Sequence, residues 1–122
     1  MSMPEYDDQN VFAKILRGEI PSDNKIYENE HMIGLTNIDP RAKVHIVVIS
    51  KGAYVSMRDF SARATDAEKL ALYDAVNDIT RDLGLDVTGY RLVNNTGSDS
   101  RGTVPHLHLH IMGGEPLADV TG

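Results

Sequence analysis

The chain has 122 residues, of which 41% are hydrophobic and 25% charged, and it carries a formal net charge of −6. This length and composition suit one folded domain with a modest core, without the run of about 18 apolar residues that crosses a membrane. The acidic charge argues against a nucleic-acid-binding protein, and the absence of cysteine excludes disulfides, thiolate catalysis and the usual structural zinc sites.

The amino-terminal half predicts one short helix and three strands. Residues 1–9 are expected to be disordered or extended, and their acidic side chains stand where a signal peptide would be basic, which indicates a cytoplasmic protein. Asn10 is predicted to cap a short amphipathic helix that Gly18 ends. Three β-like runs follow, at 25–28, 32–36 and 44–50. The third run is nearly continuous in β-branched residues, which is typical of a central strand.

The carboxyl-terminal half predicts one long helix and two more strands. Thr65 and Glu68 form a capping box, and the helix that they open is predicted to end at Gly84. Its apolar stripe is expected to consist of Leu70, Tyr73, Val76, Ile79 and Leu83. A strand over 90–94, a polar loop over 96–105 and a strand over 106–112 come next. Strands around one long helix predict an antiparallel α+β domain.

Residues 106–112 read His-Leu-His-Leu-His-Ile-Met. Because side chains of a strand alternate between its faces, His106, His108 and His110 are predicted to share one face. Satisfied surface histidines, a metal site and a catalytic site are the three interpretations. Residues i and i+4 of a strand lie roughly 13 Å apart, whereas zinc takes nitrogen ligands at about 2.0–2.1 Å. At most two of these histidines could therefore share an ion, with outside ligands such as His45 or Asp99.

In the catalytic interpretation His108 attacks phosphorus and the flanking histidines orient it. Imidazole has an unperturbed pKa of about 6.5, so one nitrogen keeps a free lone pair at neutral pH when the other is held as a donor. The preceding loop offers what a phosphate requires. Gly97 and Gly102 allow close approach of backbone amides, and Ser98 and Thr103 provide hydroxyls.

The motif resembles the histidine triad (HIT) family and its pattern His-φ-His-φ-His-φ-φ, where φ is apolar. The resemblance is strongest to the Hint branch of nucleoside phosphoramidases. It extends to segments 11–21, 37–40, 45–49 and 90–97. It implies a HIT domain at 10–114 with a C-terminal tail at 115–122. The implied HIT-like fold is an antiparallel five-stranded sheet with one long and one short helix.

The same resemblance implies the roles of individual residues. His108 would be the nucleophile, His106 and His110 the supporting triad members, and His45 a fourth histidine behind the site. Asn95 and Thr103 would contact the phosphate or the leaving group. Asn37 and Ile38 would hold the ribose, and an apolar slot for the base would consist of Val11, Phe12, Ile15 and Leu35, which could equally be plain core.

The implied activity is hydrolysis of purine, AMP-type nucleoside 5′-phosphoramidates or acyl-nucleotides at the α-phosphate, through a covalent nucleotidyl-histidine. The implied ligand is a nucleoside monophosphate or nucleotide conjugate, and the implied assembly is a homodimer. No metal, cofactor, nucleic acid or membrane is expected to take part. The alternatives are a Fhit-like hydrolase of dinucleoside polyphosphates and a nucleotide-binding partner protein with little turnover.

The sequence departs from the Hint branch at two positions near the site. Asn37 stands where that branch usually has Asp, and it can hydrogen-bond both ribose hydroxyls but without charge assistance. Asn at this position is found in the Fhit branch. Gly102 replaces a Gln and is expected to loosen the turn before the triad. Both changes bear on substrate preference rather than on the chemistry.

Overall fold

The computed structural model describes residues 4–101 and 103–119. Its elements run in chain order as follows: α1 (Val11–Leu16), β1 (Lys25–Glu28), β2 (Met32–Thr36), β3 (Val44–Ser50), α2 (Met57–Arg63), α3 (Asp66–Asp82), α4 (Leu85–Thr88), β4 (Tyr90–Val93) and β5 (His108–Gly113). A short 3-10 turn at Ser98–Ser100 separates β4 from β5. Within the described ranges, no helix has the length and apolar character needed to cross a bilayer.

The strands form one five-stranded antiparallel sheet, as predicted, and their order in it is β1-β2-β3-β5-β4. The strand β3 lies at its centre, between β2 and β5. Val47 of β3 is paired with Leu35 on one side and with His110 on the other, and His110 is paired in turn with Val93 of β4. This register carries the histidine strand into the middle of the sheet, where both of its edges are paired.

The predicted strands β1, β2 and β3 are confirmed with their bounds, but the last two strands differ. β4 ends one residue before the predicted Asn94, and β5 begins at His108 rather than His106. His106 lies in a bend before the strand, because its N–H donates to the Val104 carbonyl at 2.8 Å and the next N–H, of Leu107, donates to Tyr54 at 2.7 Å. The first triad histidine is therefore outside the strand ladder.

Two short helices, α2 and α4, were not predicted. Ser56 caps α2 through a hydrogen bond from the Asp59 N–H, and Asp59 forms an ion pair with Arg63. The Ser-x-x-Asp spacing was the available signal for this helix. The helix α4 has only four residues, between Gly84 at φ +72° and Gly89 at φ +101°, which is too short for an apolar period to be read.

The long helix α3 has the predicted capping box, with Thr65 and Glu68 bonded reciprocally. Its predicted apolar stripe is wrong in part, because Leu70 is 63% exposed, Tyr73 is 74% exposed and Leu83, just past the helix end, is 44% exposed. A spacing of three residues drifts around a helix of 3.6 residues per turn, so Leu70 and Ile79 lie about 180° apart. The buried face consists of Ala71, Leu72, Ala75, Val76, Ile79 and Thr80.

The sheet separates two apolar clusters. The larger lies between α3 and one face of the sheet, and it contains Leu107, Leu109 and Ile111. The smaller lies on the other face and consists of Ile33, Leu35, Val47 and Ile49, with Phe12, Ile15 and Leu16 of the α1 helix packed against it. The triad histidines lie on this second face, between the small cluster and β4.

Candidate active site

His108 is the central residue of the site, and its tautomer is fixed by a backbone carbonyl. Its Nδ1 lies 2.6 Å from the carbonyl oxygen of His106, and the side chain is 5% exposed. Since a carbonyl oxygen only accepts hydrogen bonds, Nδ1 of His108 carries the proton. The other ring nitrogen, Nε2, is left with its lone pair, which is the state that a nucleophile requires.

The third triad histidine, His110, belongs to a chain of hydrogen bonds that starts at Arg41. The Arg41 N–H donates to Nδ1 of His45 at 3.0 Å, so the His45 proton is on Nε2. That nitrogen lies 2.9 Å from Nδ1 of His110 and donates to it. His110 is consequently protonated on Nε2, which is a hydrogen-bond donor on the same face as the lone pair of His108.

Asn37 contacts this chain without joining it. Its amide nitrogen lies 3.4 Å from Nε2 of His45, but that nitrogen already donates to His110. The Asn37 amide cannot be reversed to resolve the conflict, because its oxygen accepts from the Asp39 N–H at 2.9 Å. The contact is therefore a close approach of two donors, and the amide N–H groups stay available to a ligand oxygen.

Burial favours the neutral form of the four histidines of the site. It lowers the pKa values of His106 and His108 below the usual range, although each ring also makes a hydrogen bond to a backbone carbonyl that opposes the change. Burial, followed by the proximity of His108 and His45, lowers the pKa of His110 to about 4. Burial and then the charge of Arg41 lower the pKa of His45.

Aromatic rings cover the first two triad histidines. The ring of Phe12 meets His108 edge to face with centroids 4.8 Å apart and meets His106 at 5.9 Å. Tyr6 was not predicted to belong to the site, yet its hydroxyl lies 2.7 Å from Nδ1 of His106. The segment that holds Tyr6, expected to be disordered or extended, has neither helix nor strand over residues 4–9.

A cavity of about 310 Å³ opens beside the hydrogen-bonded histidine pair. It brings together four predicted site residues: Asn37, His45, Asn95 and His110. Asp39, Arg41, Val93 and Met112 complete its lining. Amide and imidazole donors thus converge on one concave surface, which suits an anionic and hydroxyl-bearing ligand.

The remaining predicted residues are more dispersed. Thr103 lines a separate cavity of about 430 Å³ with Arg58 and Pro105, and its hydroxyl lies 3.4 Å from the Asn95 carbonyl oxygen. Phe12 and Ile15 pack against the cluster that contains Leu35. Val11 is 41% exposed and Ile38 is 92% exposed, so both lie at the surface. The prediction for Gly102 falls outside the described residues.

Metal ligation was one of the interpretations of the histidine motif. Over 4–101 and 103–119, no three His, Asp or Glu side chains are grouped so as to hold a metal ion. Hydrogen bonds already engage six of the eight ring nitrogens of His45, His106, His108 and His110.

The sheet, the triad and the neighbouring amides define a known class of domain. The family model of the HIT domain matches residues 17–117, and the chain belongs to this family.

Three relatives illustrate the similarity. The chain is 52% identical over 112 residues to a 13.2 kDa HIT-like protein of Azospirillum brasilense, covering 92% of this chain and 91% of that one. It is 34% identical over 110 residues to the purine nucleoside phosphoramidase of Escherichia coli, covering 90% and 91%. The structure matches that of a HIT family hydrolase from Clostridium thermocellum with a TM-score of 0.80 at 33% identity, covering 93% and 96%.

Proposed function

We propose that the protein hydrolyses purine, AMP-type nucleoside 5′-phosphoramidates or acyl-nucleotides at the α-phosphate. The observation that carries the proposal is the hydrogen bond from Nδ1 of His108 to the His106 carbonyl, because it leaves Nε2 as a free lone pair in a buried ring. The hydrolase activity is supported by family membership and by the names of relatives, among them the phosphoramidase of Escherichia coli.

In the first step Nε2 of His108 forms a bond to phosphorus and the bond from phosphorus to the leaving nitrogen breaks. The electron pair of that bond stays with the leaving amine, which takes a proton from the solvent. The imidazole of His108 becomes a cation, since Nδ1 keeps its proton while Nε2 is bonded to phosphorus. The carbonyl of His106, 2.6 Å from Nδ1, stabilises this cation.

In the second step a water oxygen attacks phosphorus and the bond to Nε2 breaks. The nucleoside monophosphate leaves, the proton of the water is released, and His108 returns to its neutral tautomer. Dividing one hydrolysis in this way replaces a difficult displacement with two easier ones. The same two steps apply to an acyl-nucleotide, whose leaving group is a carboxylate.

His110 serves as a hydrogen-bond donor to the phosphate in this scheme. Its Nε2–H is fixed by the chain from Arg41 through His45, so it need not reorient as charge develops on the phosphate oxygens. Asn95 and Asn37 line the same cavity and are assigned to the phosphate and the ribose. Thr103 is assigned to the phosphate or the leaving group, and Ile38 to the ribose.

The base is assigned to the apolar surface of α1 and β2. Phe12 and Ile15 pack against the cluster of Leu35, and a purine ring can extend this surface by stacking. Val11 lies at the exposed end of the same helix. The proposal requires neither a metal nor a cofactor, and the cytoplasmic location stays a prediction.

Replacement of His108 by Ala tests the nucleophile. We expect kcat for an adenosine phosphoramidate to fall at least about 10³-fold, because the residue acts only along the reaction path. Binding of AMP, measured by calorimetry, should stay within about threefold. The matched control is His31→Ala, since His31 is the one histidine outside the site. A His108→Ala variant with more than a tenth of the wild-type kcat would contradict the assignment.

The substrate class is tested by comparing kcat/KM for a phosphoramidate and for a diadenosine polyphosphate. We expect the phosphoramidate to be preferred, because a polyphosphate brings extra negative charge to a protein of net charge −6. No Lys or Arg lies within residues 102–112 to receive that charge, and Arg41, which lines the cavity, is already paired with Asp39 at 3.4 Å. Equal or better efficiency with the dinucleotide would favour the Fhit-like alternative, which Asn37 supports. Tight AMP binding with no turnover of either substrate would favour a binding protein.

We also propose that the protein is a homodimer, joined through α3 and β4. The face that these elements share carries a groove of about 600 Å³ whose lining is mostly apolar, with Lys69, Asn77 and Asp86 among its polar residues. β4 is an edge strand of the sheet, so a second copy can cover it.

A further inference from the structure

The hydroxyl of Tyr6 makes a contact that joins the amino-terminal segment to the triad. It lies 2.7 Å from Nδ1 of His106, a residue 100 positions away in the chain. The two rings also touch, with centroids 5.5 Å apart. His106 is 1% exposed, so its nitrogen has little access to solvent that could replace the hydroxyl.

The direction of this hydrogen bond follows from the other side of the His106 ring. Nε2 of His106 lies 2.6 Å from the carbonyl oxygen of Ser50, so the ring proton is on Nε2. In the neutral ring Nδ1 is then an acceptor, and the Tyr6 hydroxyl must donate to it. In the part of the chain that the structure describes, no other group donates to this nitrogen.

The segment before α1 is held in place independently of this bond. The guanidinium of Arg17 donates to the Asp8 carbonyl at 2.6 Å. The side chain of Asn10 donates to the Asp7 carbonyl at 2.8 Å, while its oxygen caps α1 by accepting from the Ala13 N–H. The helix therefore fixes the segment that presents Tyr6, and the position of the hydroxyl does not depend on His106 alone.

His106 has particular need of an anchored side chain. It lies before β5, so the ladder that begins with the pair of Ile49 and His108 does not hold it. The His106 N–H donates to the Val104 carbonyl, and the peptide after His106 makes one backbone bond of its own, from the Leu107 N–H to the Tyr54 carbonyl. The carbonyl of that same peptide accepts from Nδ1 of His108. A ring bonded at both nitrogens restrains the residue that orients the nucleophile.

We propose that Tyr6 is a positioning residue, which fixes the ring of His106 between its hydroxyl and the Ser50 carbonyl and thereby steadies the His106 carbonyl that orients His108. The inference rests on the proposed function of His108 as nucleophile. Tyr6 does not reach the reacting atoms in this arrangement. It acts through His106, so its removal should lower the rate of the chemical step more than the affinity for the nucleotide.

The test is Tyr6→Phe, which removes the hydroxyl and keeps the ring. Its matched control is Tyr27→Phe, because the Tyr27 hydroxyl also makes a short bond, 2.6 Å to Asp78 of α3, away from the triad face. We expect Tyr6→Phe to lower kcat for an adenosine phosphoramidate about 10-fold, the effect of one lost hydrogen bond, with KM changed less than about twofold. Tyr27→Phe should keep the wild-type kcat.

A second readout does not depend on activity. Nitrogen-15 spectra of the histidine rings should show His106 protonated at Nε2 and bonded at Nδ1 in the wild-type protein. In Tyr6→Phe the Nδ1 signal of His106 should move towards that of an unbonded ring nitrogen, and the ring signals of His108 should broaden. In Tyr27→Phe the signals of both histidines should stay in place.

Several results would overturn the inference. Wild-type kcat in Tyr6→Phe with unchanged His106 signals would remove any role for the hydroxyl. Equal losses of kcat in Tyr6→Phe and Tyr27→Phe would show that the hydroxyl of Tyr6 affects only the general stability of the protein. If the wild-type protein hydrolyses no phosphoramidate, the proposed function fails, and the spectra alone decide on positioning. Unchanged signals of His106 and His108 in Tyr6→Phe would then overturn it.

Discussion

At the scale of single residues, the chemistry depends on which imidazole nitrogen carries a proton. A carbonyl fixes this for His106 and for His108, and a backbone N–H fixes it for His45 and, through it, for His110. The tautomers of these four rings are thus fixed, directly or through one neighbouring ring, by hydrogen bonds with backbone groups. The arrangement is therefore sensitive to protonation of the rings.

This sensitivity predicts how stability depends on pH. The site lowers the pKa values of its histidines, that of His110 to about 4, whereas an unfolded histidine has a pKa of about 6.5. Between these values the unfolded chain binds more protons than the folded one. The contribution of these histidines to the free energy of unfolding is therefore complete above about pH 6.5, and it decreases as the pH is lowered towards 4. Thermal unfolding between pH 7.5 and 4.5 measures the effect.

The variant for this measurement is His110→Gln, whose melting temperature should fall less between pH 6.5 and 4.5 than that of the wild-type protein. His31→Gln, outside the site, is the control and should follow the wild-type curve. Identical pH dependence in both variants would show that His110 is not the group responsible.

The placement of His108 and His110 on one face of a strand could be predicted from the sequence, and the contact of Tyr6 could not. Alternation of histidine and apolar residues is a local property, and the period of a strand converts it directly into faces. Tyr6 contacts His106 only because the folded α1 helix holds the preceding segment next to the triad. Nothing in the segment around Tyr6 indicates this, since the partner lies 100 positions away.

At the scale of elements, the helix α3 supports the sheet from the face opposite the triad. Its capping box satisfies two backbone N–H groups, those of Thr65 and Glu68. We expect Thr65→Ala to lower the free energy of unfolding by about 1 kcal/mol, measured by urea denaturation. The kcat should be unchanged, because the sheet lies between α3 and the site.

The control for this prediction is Thr88→Ala, whose hydroxyl makes only a 3.5 Å contact with the Gly84 carbonyl. Its effect on unfolding should stay within about 0.5 kcal/mol. Should Thr65→Ala lower kcat by more than about threefold at a temperature where the protein is folded, the separation of the two faces would be in doubt.

The elements that the sequence predicts well are those with a complete local signal. The helix α1 has its cap at Asn10 and its stop at Gly18, and β3 is a run of β-branched residues between polar flanks. The start of β5 could not be predicted, because His106 continues the alternation but its N–H is bonded within a turn. Which apolar residues of α3 are buried depends on where the sheet packs against the helix, and the periodicity of the sequence does not specify this.

At the scale of the whole molecule, the apolar groove between α3 and β4 is the basis for the proposed homodimer. Leu70, Tyr73, Tyr90 and Leu92 are all exposed on these two elements. In dilute solution we expect a sedimentation mass of about twice the 13.4 kDa of one chain. Tyr73→Glu should shift the protein towards the monomer, because the dimer would have to bury a carboxylate in a mostly apolar groove.

The control for the dimer is Val87→Glu, since Val87 is 86% exposed on α4 and does not line the groove. This variant should sediment as the wild-type protein does. A mass near 13.4 kDa for the wild-type chain at micromolar concentration would contradict the dimer.

The division of β5 between the triad face and the α3 face has a consequence for how this strand tolerates mutation. In a saturation scan with separate readouts of abundance and turnover, substitutions at His108 and His110 should spare abundance, and those at Leu109 and Ile111 should deplete it. The two readouts would alternate along the chain with a period of two. A single inserted residue just before His108 would exchange the two sets, placing imidazoles in the apolar core and the side chains of Leu109 and Ile111 on the triad face, and both readouts would fail together.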